Sequence, residues 1–238
     1  MEGDDMERSH MEYKGVQFDY TRMSEWILLT ACHFMDGTTH VEIPAEIAGC
    51  PVTHLRDDFF RDCRNMESIL IPEGIVSVGA YAFQKCEWLR EVLLPEGLSY
   101  LGKGAFYGCT GLQRVELGNR LAQLEAKTFE GCQLLESCRI PDSCLDIGAT
   151  VFRHCRQLRT ITIPWQVSKI GVAAFDGCEN LTHVRLPRSL MSLLEERTED
   201  GRVILHTEKG DRLHTGARRI FVKQTAQISF EFYEVPAV

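Results

Sequence analysis

The chain has 238 residues, of which 44% are hydrophobic and 25% are charged, and its formal net charge is −8. This is the composition of an ordinary soluble protein, and its acidity argues against nucleic acid as the main partner. No stretch reaches the roughly 18 apolar residues that a membrane-spanning helix needs, so the sequence predicts no membrane insertion.

Residues 1–40 are predicted to form a leader and an N-terminal cap. Residues 1–12 are polar and acidic, which is typical of a disordered leader. The next stretch predicts strands at 16–20 and 26–29, and a hairpin of these strands would cover the first coil of the region that follows. The N-terminus lacks the basic flank and the long apolar run of a secretory signal, which favours a cytoplasmic protein.

Residues 41–190 carry a 23-residue repeat that keeps its phase through six units. Each unit has a cysteine at one position, a phenylalanine three residues earlier, and a leucine or methionine three residues later. The cysteines of this column are Cys63, Cys86, Cys109, Cys132, Cys155 and Cys178. Because one unit cannot bury its own apolar side, a fixed period of this kind predicts a right-handed solenoid of about six stacked coils.

Each unit predicts a strand, a corner and a turn. Leu89, Val92 and Leu94 have the spacing of a short strand, and Pro95 ends it because proline cannot donate to a ladder. A glycine then recurs at the corner, where we expect positive φ. The corner glycines are Gly79, Gly102, Gly148 and Gly171, and Glu125 replaces them in one unit. The spacing of three between phenylalanine, cysteine and leucine predicts a short helical or 3₁₀ turn.

This pattern resembles the BspA-type leucine-rich repeat of bacterial and protozoan proteins. Residues 71–92, 94–115 and 163–184 match it with an aliphatic-proline start, a glycine, Ala-Phe, a cysteine and a leucine. The units depart from it at Gly118, Thr128, Cys138 and Val151. The resemblance implies an α/β leucine-rich-repeat solenoid with short parallel strands, short helical turns and β-rich terminal caps. It also implies an adhesion or interaction role, and a cell-surface location if a leader has been removed.

Residues 191–238 are predicted to form a C-terminal β-rich cap on the last coils. Residues 195–201 are charged and predict a polar linker or turn. Strands are predicted at 202–207, 219–223 and 227–235, and apolar and polar residues alternate in the last of them. A separate small domain is the alternative, although about 50 residues is near the lower limit for independent folding.

The cysteines and histidines predict neither a metal site nor catalysis. The sequence has no C-x-x-C motif and no cysteine–histidine set with zinc spacing, so the column cysteines are expected to be buried free thiols. The roles of Cys32, Cys50, Cys138 and Cys144 stay unassigned. His154 adjoins Cys155, but neighbours in a tight turn point apart, which argues against a nucleophilic pair. We therefore predict no enzyme activity, no metal and no cofactor.

The outward positions of the predicted strands would form the functional surface. Going along the chain, these positions change from apolar and acidic to rich in arginine, and Trp165 occupies a position that is polar in the other units. Arginine and tryptophan often anchor interfaces. The candidate binding residues are Arg90, Arg114, Arg139, Arg159, Trp165 and Arg185. The alternatives are a solvated sheet face with cross-strand charge pairs and, for Trp165, packing against the C-terminal cap.

Together these features predict a non-enzymatic module that binds a protein or glycan partner through the solenoid face. The alternative is a structural scaffold or self-associating unit without an external ligand. The sequence leaves the oligomeric state open.

Overall fold

A computed structural model describes residues 8–35, 37–193, 195–197, 203–205 and 228–233. Its first three strands are β1 (Arg8–Tyr13), β2 (Val16–Arg22) and β3 (Ile27–Phe34), and they form an antiparallel ladder. The predicted hairpin is thereby confirmed. The predicted disordered leader is wrong for residues 8–12, because they pair with β2 and bring the half-buried Met11 onto the core.

The remaining chain stacks short strands in two rows. The first row consists of β4 (His40–Glu42), β7 (Ser68–Leu70), β9 (Glu91–Leu93), β11 (Arg114–Glu116), β13 (Ser137–Cys138), β15 (Thr160–Thr162) and β17 (His183–Pro187). The second row consists of β6 (Cys50–Leu55), β8 (Ser77–Val78), β10 (Tyr100–Leu101), β12 (Gln123–Leu124), β14 (Asp146–Ile147) and β16 (Lys169–Ile170). A short strand β5 (Glu46–Ile47) pairs antiparallel with β6.

All the ladders between successive coils are parallel, and β3 extends the second row by pairing parallel with β6. The first row has seven strands, so the β-solenoid has about seven coils and not the predicted six. The additional coil is the one that begins at β17, after Cys178, the last cysteine of the repeat.

A stack of phenylalanine rings runs along the interior. Ring centroids of successive coils lie 4.9–5.6 Å apart from Phe60 to Phe175, and the rings are nearly parallel, with interplanar angles of 5–21°. All six side chains are fully buried. The stacking of coils that the repeat predicts is therefore confirmed. Removal of one ring by substitution with alanine in a middle coil should cost about 3–5 kcal/mol.

Glycine is required at the corners for a different physical reason from the predicted positive φ. None of Gly79, Gly102, Gly148 and Gly171 has positive φ. A Cβ atom on Gly102 would lie 2.5 Å from the backbone nitrogen of Ala80 in the preceding coil, and the other three would make similar clashes of 2.3–2.6 Å. Glycine is needed at this corner because successive coils approach closely, so the expectation of positive φ is wrong.

The predicted helical turns are also wrong. The segments that carry phenylalanine and cysteine are hydrogen-bonded turns and not helices. Their backbone N–H groups alternate between donating to a carbonyl of the same turn and donating to a carbonyl of the next coil. Phe83 N–H, for example, donates to Ala105 O at 2.7 Å in the next coil, whereas Cys86 N–H donates to Phe83 O at 3.2 Å within the turn. Two residues of each turn have left-handed φ, as at Tyr81 and Lys85.

The C-terminal part adds a strand to the end of the solenoid. A 3₁₀ helix (Arg188–Leu193) follows β17, and β18 (Glu195–Arg197) pairs antiparallel with β19 (Val203–Leu205). Residues 195–197 are thus a strand, and the predicted polar linker is wrong there because β19 supplies their backbone partners. The last strand, β20 (Ser229–Tyr233), pairs parallel with β17.

Within β20 the predicted alternation is confirmed for Ser229 to Phe232, since Phe230 and Phe232 are half-buried while Ser229 and Glu231 are exposed. It fails at Tyr233, which was predicted on the outward side and is half-buried. The predicted strand at 219–223 lies outside the described residues. Among the described residues, no helix has the length and apolar character required to cross a membrane.

Candidate binding surface

The first row of strands presents two exposed columns of side chains, which we call the strand face. The ladder register places Glu91, Arg114 and Ser137 side by side, and Leu93 beside Glu116. Thr162 is likewise beside Arg185. Between the two columns the aliphatic residues point inward and are buried. The sequence-predicted outward positions are therefore exposed on one surface.

Acidic neighbours neutralise two of the predicted arginines. The Arg114 guanidinium lies 3.0 Å from the Glu91 carboxylate and also contacts Glu116. The Arg185 Nε atom lies 3.2 Å from Glu231 on β20. The Arg185 guanidinium also lies 4.9 Å from the centre of the Tyr233 ring, within the range of a cation–π contact. These two side chains are held in place by their own neighbours.

The other three arginines are exposed and form no ion pair within the part of the chain that the structure describes. Arg90 and Arg159 each lie one residue before a strand of the first row, at its edge. Arg139 directly follows β13 and lines a groove in the strand face. The structure therefore brings Arg139 and Arg185 together in one groove and leaves Arg90 and Arg159 beside it.

The groove lies where the first row of strands is interrupted. No ladder joins β13 to β15 within the described residues, and residues of both strands line a surface groove of about 480 Å³. Its walls are Ser137, Cys138, Arg139, Ile140, Asp142, Thr160, Thr162, Pro164, Arg185 and Tyr233. The groove thus combines two guanidinium groups, three hydroxyls of serine and threonine, an aromatic ring and one carboxylate.

Tyr233 is the aromatic residue that lines the groove. Its hydroxyl donates a 2.6 Å hydrogen bond to the carbonyl oxygen of Ile163, which ties β20 to the coil of β15. Burial raises the pKa of Tyr233, although Arg185 opposes the shift, so the phenol stays protonated at neutral pH. The aromatic wall is consequently a fixed part of the surface.

The structure places Trp165 next to the groove and not inside it. Trp165 follows Pro164, which lines the groove, and its indole is 38% exposed. A flat aromatic ring at the rim is suited to contact with a ligand that extends beyond the groove.

Sequence reasoning missed Tyr233 and the groove itself, although the repeat contains a signal for it. Most departures from the repeat fall within one unit, at Gly118, Glu125, Thr128 and Cys138. The second row of strands is also interrupted there, between β10 and β12. Close approach of two coils requires glycine at the corner, and Glu125 carries a side chain at that position. Irregular sequence in one unit therefore coincides with interrupted ladders in both rows.

The described residues offer no support for a metal or nucleophilic site. They contain no group of three or more histidine, cysteine, aspartate or glutamate side chains placed to hold a metal ion. The Cys155 thiol is fully buried and donates to Phe129 O at 3.2 Å. Burial raises the pKa of Cys155 well above its usual value, which opposes nucleophilic use of this thiol beside His154.

Comparison with known proteins agrees with this architecture. The family model of the BspA type leucine rich repeat region matches residues 53–182 in six copies. No curated protein matches the chain.

Among solved structures, a leucine-rich repeat protein of T. pallidum is 27% identical, with a TM-score of 0.47, over 75% of this chain and 72% of that one. A leucine rich cell surface protein of Faecalibacterium prausnitzii is 19% identical, with a TM-score of 0.42, over 77% and 72%. The pneumococcal vaccine antigen PcpA is 14% identical, with a TM-score of 0.46, over 75% and 64%.

Proposed function

Since the chain belongs to the BspA-type leucine-rich repeat family, we propose that it is a non-enzymatic binding module of the adhesion type. It recognises a protein or glycan partner through the strand face, and the groove between β13 and β15 receives an acidic group of that partner. A solenoid suits this role because its regular core supports a broad outer surface whose side chains vary from coil to coil.

The observation that carries the proposal is the environment of Arg139. Its guanidinium is exposed in the groove and forms no ion pair among the described residues, where Asp142 is the one carboxylate of the lining, whereas Arg114 and Arg185 each form one. A planar guanidinium with free donors is suited to bind carboxylate or sulfate with two hydrogen bonds. The hydroxyls of Thr160 and Thr162 lie in the same groove and can bind the uncharged part of a ligand.

Binding of sialylated and sulfated oligosaccharides and of an acidic peptide tests the proposal. We expect Arg139→Ala to weaken the best of these ligands at least tenfold, about 1.4 kcal/mol, and to reduce the salt dependence of binding. Arg156→Ala is the matched control, because Arg156 is similarly exposed and pairs with Glu179 outside the strand face. A ligand that binds the Arg139 variant with unchanged affinity and salt dependence would place the site elsewhere.

Substitution of Arg139 alone tests the groove more directly than replacement of several strand-face arginines by glutamate. Substitution of Arg114 by glutamate would place a third carboxylate beside Glu91 and Glu116, so reduced binding could then reflect local repulsion. Arg139 forms no ion pair among the residues that the structure describes, and its loss should leave the stability of the fold nearly unchanged.

We propose self-association as the second candidate function, on the evidence of an apolar pair at the other end of the strand face. Leu70 is 60% exposed and Leu93 is 51% exposed, and they occupy equivalent positions on the adjacent strands β7 and β9. Sedimentation velocity measures this directly. If the pair mediates self-association, the wild-type protein forms an oligomer that Leu70→Ser and Leu93→Ser dissociate, whereas Arg139→Ala leaves it intact.

A further inference from the structure

Two cysteines from different parts of the fold meet at the N-terminal end of the solenoid. Cys32 lies in β3, and Cys63 lies in the turn of the first coil, 31 positions later in the chain. The Cys32 thiol donates to the carbonyl oxygen of Phe59 at 3.4 Å, at the start of that turn. The Phe34 and Phe60 rings pack 6.3 Å apart beside them. This packing brings the two thiols within hydrogen-bonding reach of each other.

Cys63 differs from the rest of its column. The five later column thiols are fully buried and donate to a phenylalanine carbonyl oxygen of the preceding coil at 2.9–3.2 Å. Cys63 is only partly buried, and its sulfur lies 4.0 Å from the carbonyl oxygen of Arg61. The first coil has no repeat unit before it, so strand β3 and its Cys32 occupy the place of a preceding coil.

A groove gives reagents access to Cys63. The groove has a volume of about 550 Å³ and is lined by Cys63 itself, by Phe34 at the end of β3, by Met35 and by the exposed Trp88. Neighbouring thiols of the column are also close to one another, but their complete burial keeps a dissolved reagent away from them. Among the column cysteines, accessibility therefore distinguishes Cys63.

The two thiols differ in acidity in a way that suits consecutive reaction. The hydrogen bond from Cys32 lowers the pKa of Cys63, against the opposing effects of burial and of Asp62. The same contact and burial raise the pKa of Cys32. Because Cys63 lines an open groove, it is the thiol that a dissolved disulfide meets first, and its lowered pKa favours the attack; Cys32 is then the resolving thiol.

We propose that Cys32 and Cys63 form a dithiol–disulfide site that reacts with small disulfides such as oxidised glutathione. The Cys63 thiolate attacks one sulfur of oxidised glutathione, which forms a mixed disulfide and releases one glutathione thiolate. Cys32 then loses its proton and attacks the Cys63 sulfur, which forms the Cys32–Cys63 bond and releases the second glutathione. Overall, the protein loses two electrons and two thiol protons, and oxidised glutathione gains them to give two molecules of reduced glutathione.

The bond would fasten β3 covalently to the first coil. It would close a loop of about 30 residues, which restricts the unfolded chain and should raise the midpoint of thermal unfolding by roughly 5–10 °C. Reduction by dithiothreitol should reverse the rise. Because β1 and β2 pair with β3, the whole N-terminal ladder would be fixed to the solenoid.

The test uses the full chain under native conditions. The protein is incubated with excess oxidised glutathione, the remaining thiols are blocked with N-ethylmaleimide in denaturant, and the disulfides are mapped by mass spectrometry. Of the ten cysteines, two should be lost as free thiols and recovered as a Cys32–Cys63 cross-linked peptide. In Cys32→Ser, the reaction should stop at a glutathione adduct on Cys63.

Three results would overturn the proposal. One is retention of all ten thiols by the wild-type protein. Another is a wild-type glutathione adduct on Cys63 that persists without resolution by Cys32. The third is oxidation that joins Cys63 to Cys86 instead, which would show that the column and not the N-terminal ladder provides the partner. The wild-type measurement decides all three, so the outcome does not depend on the folding of a variant.

Discussion

The thiol of Cys109 donates a 2.9 Å hydrogen bond to the carbonyl oxygen of Phe83, 26 residues earlier in the preceding coil. The same contact recurs in five coils, so the cysteine column links adjacent turns of the solenoid in addition to filling space. Phe83 O also accepts from Cys86 N–H. The repeated cysteine therefore has a directional role that a small aliphatic residue could not fulfil.

Substitution of this thiol should destabilise the fold. We expect Cys109→Ala to lower the free energy of unfolding by about 1–3 kcal/mol, because it removes buried volume and one hydrogen bond between coils. Urea denaturation followed by circular dichroism measures the change. Cys63→Ala is the control at the equivalent position, where the thiol is partly exposed and lacks the short carbonyl contact, and it should cost less. Equal losses in the two variants would contradict a role for the hydrogen bond.

Alkaline pH should weaken the solenoid through the same column. Burial raises the pKa of Cys178 to about 12 from an ordinary value of 9.0. Between pH 9 and pH 12 the Cys178 thiol therefore loses its proton in the unfolded chain but keeps it in the folded protein. This contribution to stability is therefore complete below pH 9 and decreases as the pH rises from 9 to 12.

The comparison of wild type with Cys178→Ala isolates this effect from other titrating groups. Urea denaturation is measured at pH 8, 9 and 10. At pH 8 the wild-type protein should have a higher urea midpoint than Cys178→Ala, and this difference in midpoint should decrease above pH 9. A difference that stays constant to pH 10 would mean that Cys178 ionises equally in both states. Cys138, whose pKa burial also raises to about 12, should give the same trend.

The corner glycines provide a test of coil spacing. We expect Gly102→Ala to destabilise the protein by about 1–3 kcal/mol, since its Cβ would lie 2.5 Å from Ala80 N and the backbone would have to move. Gly97→Ala is the control, because a Cβ there meets its nearest atom, Glu73 O, at an ordinary 3.6 Å. In thermal unfolding, Gly102→Ala should have a lower midpoint than Gly97→Ala. Similar midpoints for the two variants would argue that close approach of the coils is not the reason for glycine at the corner.

The left-handed turn positions should favour glycine. Lys85 has a φ of 57°, and glycine occupies the equivalent place at Gly108 and Gly131. We expect Lys85→Gly to be more stable than Lys85→Ala by about 1 kcal/mol, because alanine retains the clash of Cβ with the backbone. Lys103, an exposed turn residue without positive φ, supplies the control, and there the alanine variant should be the more stable. The test is the order of the urea midpoints of the glycine and alanine variants, measured at Lys85 and at Lys103.

The repeat made the interior of this protein predictable. The period of 23 residues placed Phe106 over Phe83, and it put Val115 inside and Arg114 outside, because every coil must bury the same positions against its neighbours. It did not reveal the corner geometry, because the requirement for glycine at Gly102 comes from the distance to the coil before it. The helical turns were likewise an incorrect inference, since amide groups such as Phe83 N–H bond to the next coil.

The surface, in contrast, depended on contacts that the period does not describe. The sequence by itself determined the stack of coils, the buried columns and the exposure of the arginines. Only the tertiary structure decided that Arg185 is paired with Glu231 of β20, that Arg139 forms no ion pair with any residue the structure describes, and that Cys32 meets Cys63. The physical reason is that a repeat specifies the contacts that recur in every coil. Contacts made once, between a coil and a terminal strand, have no counterpart elsewhere in the sequence from which they could be inferred.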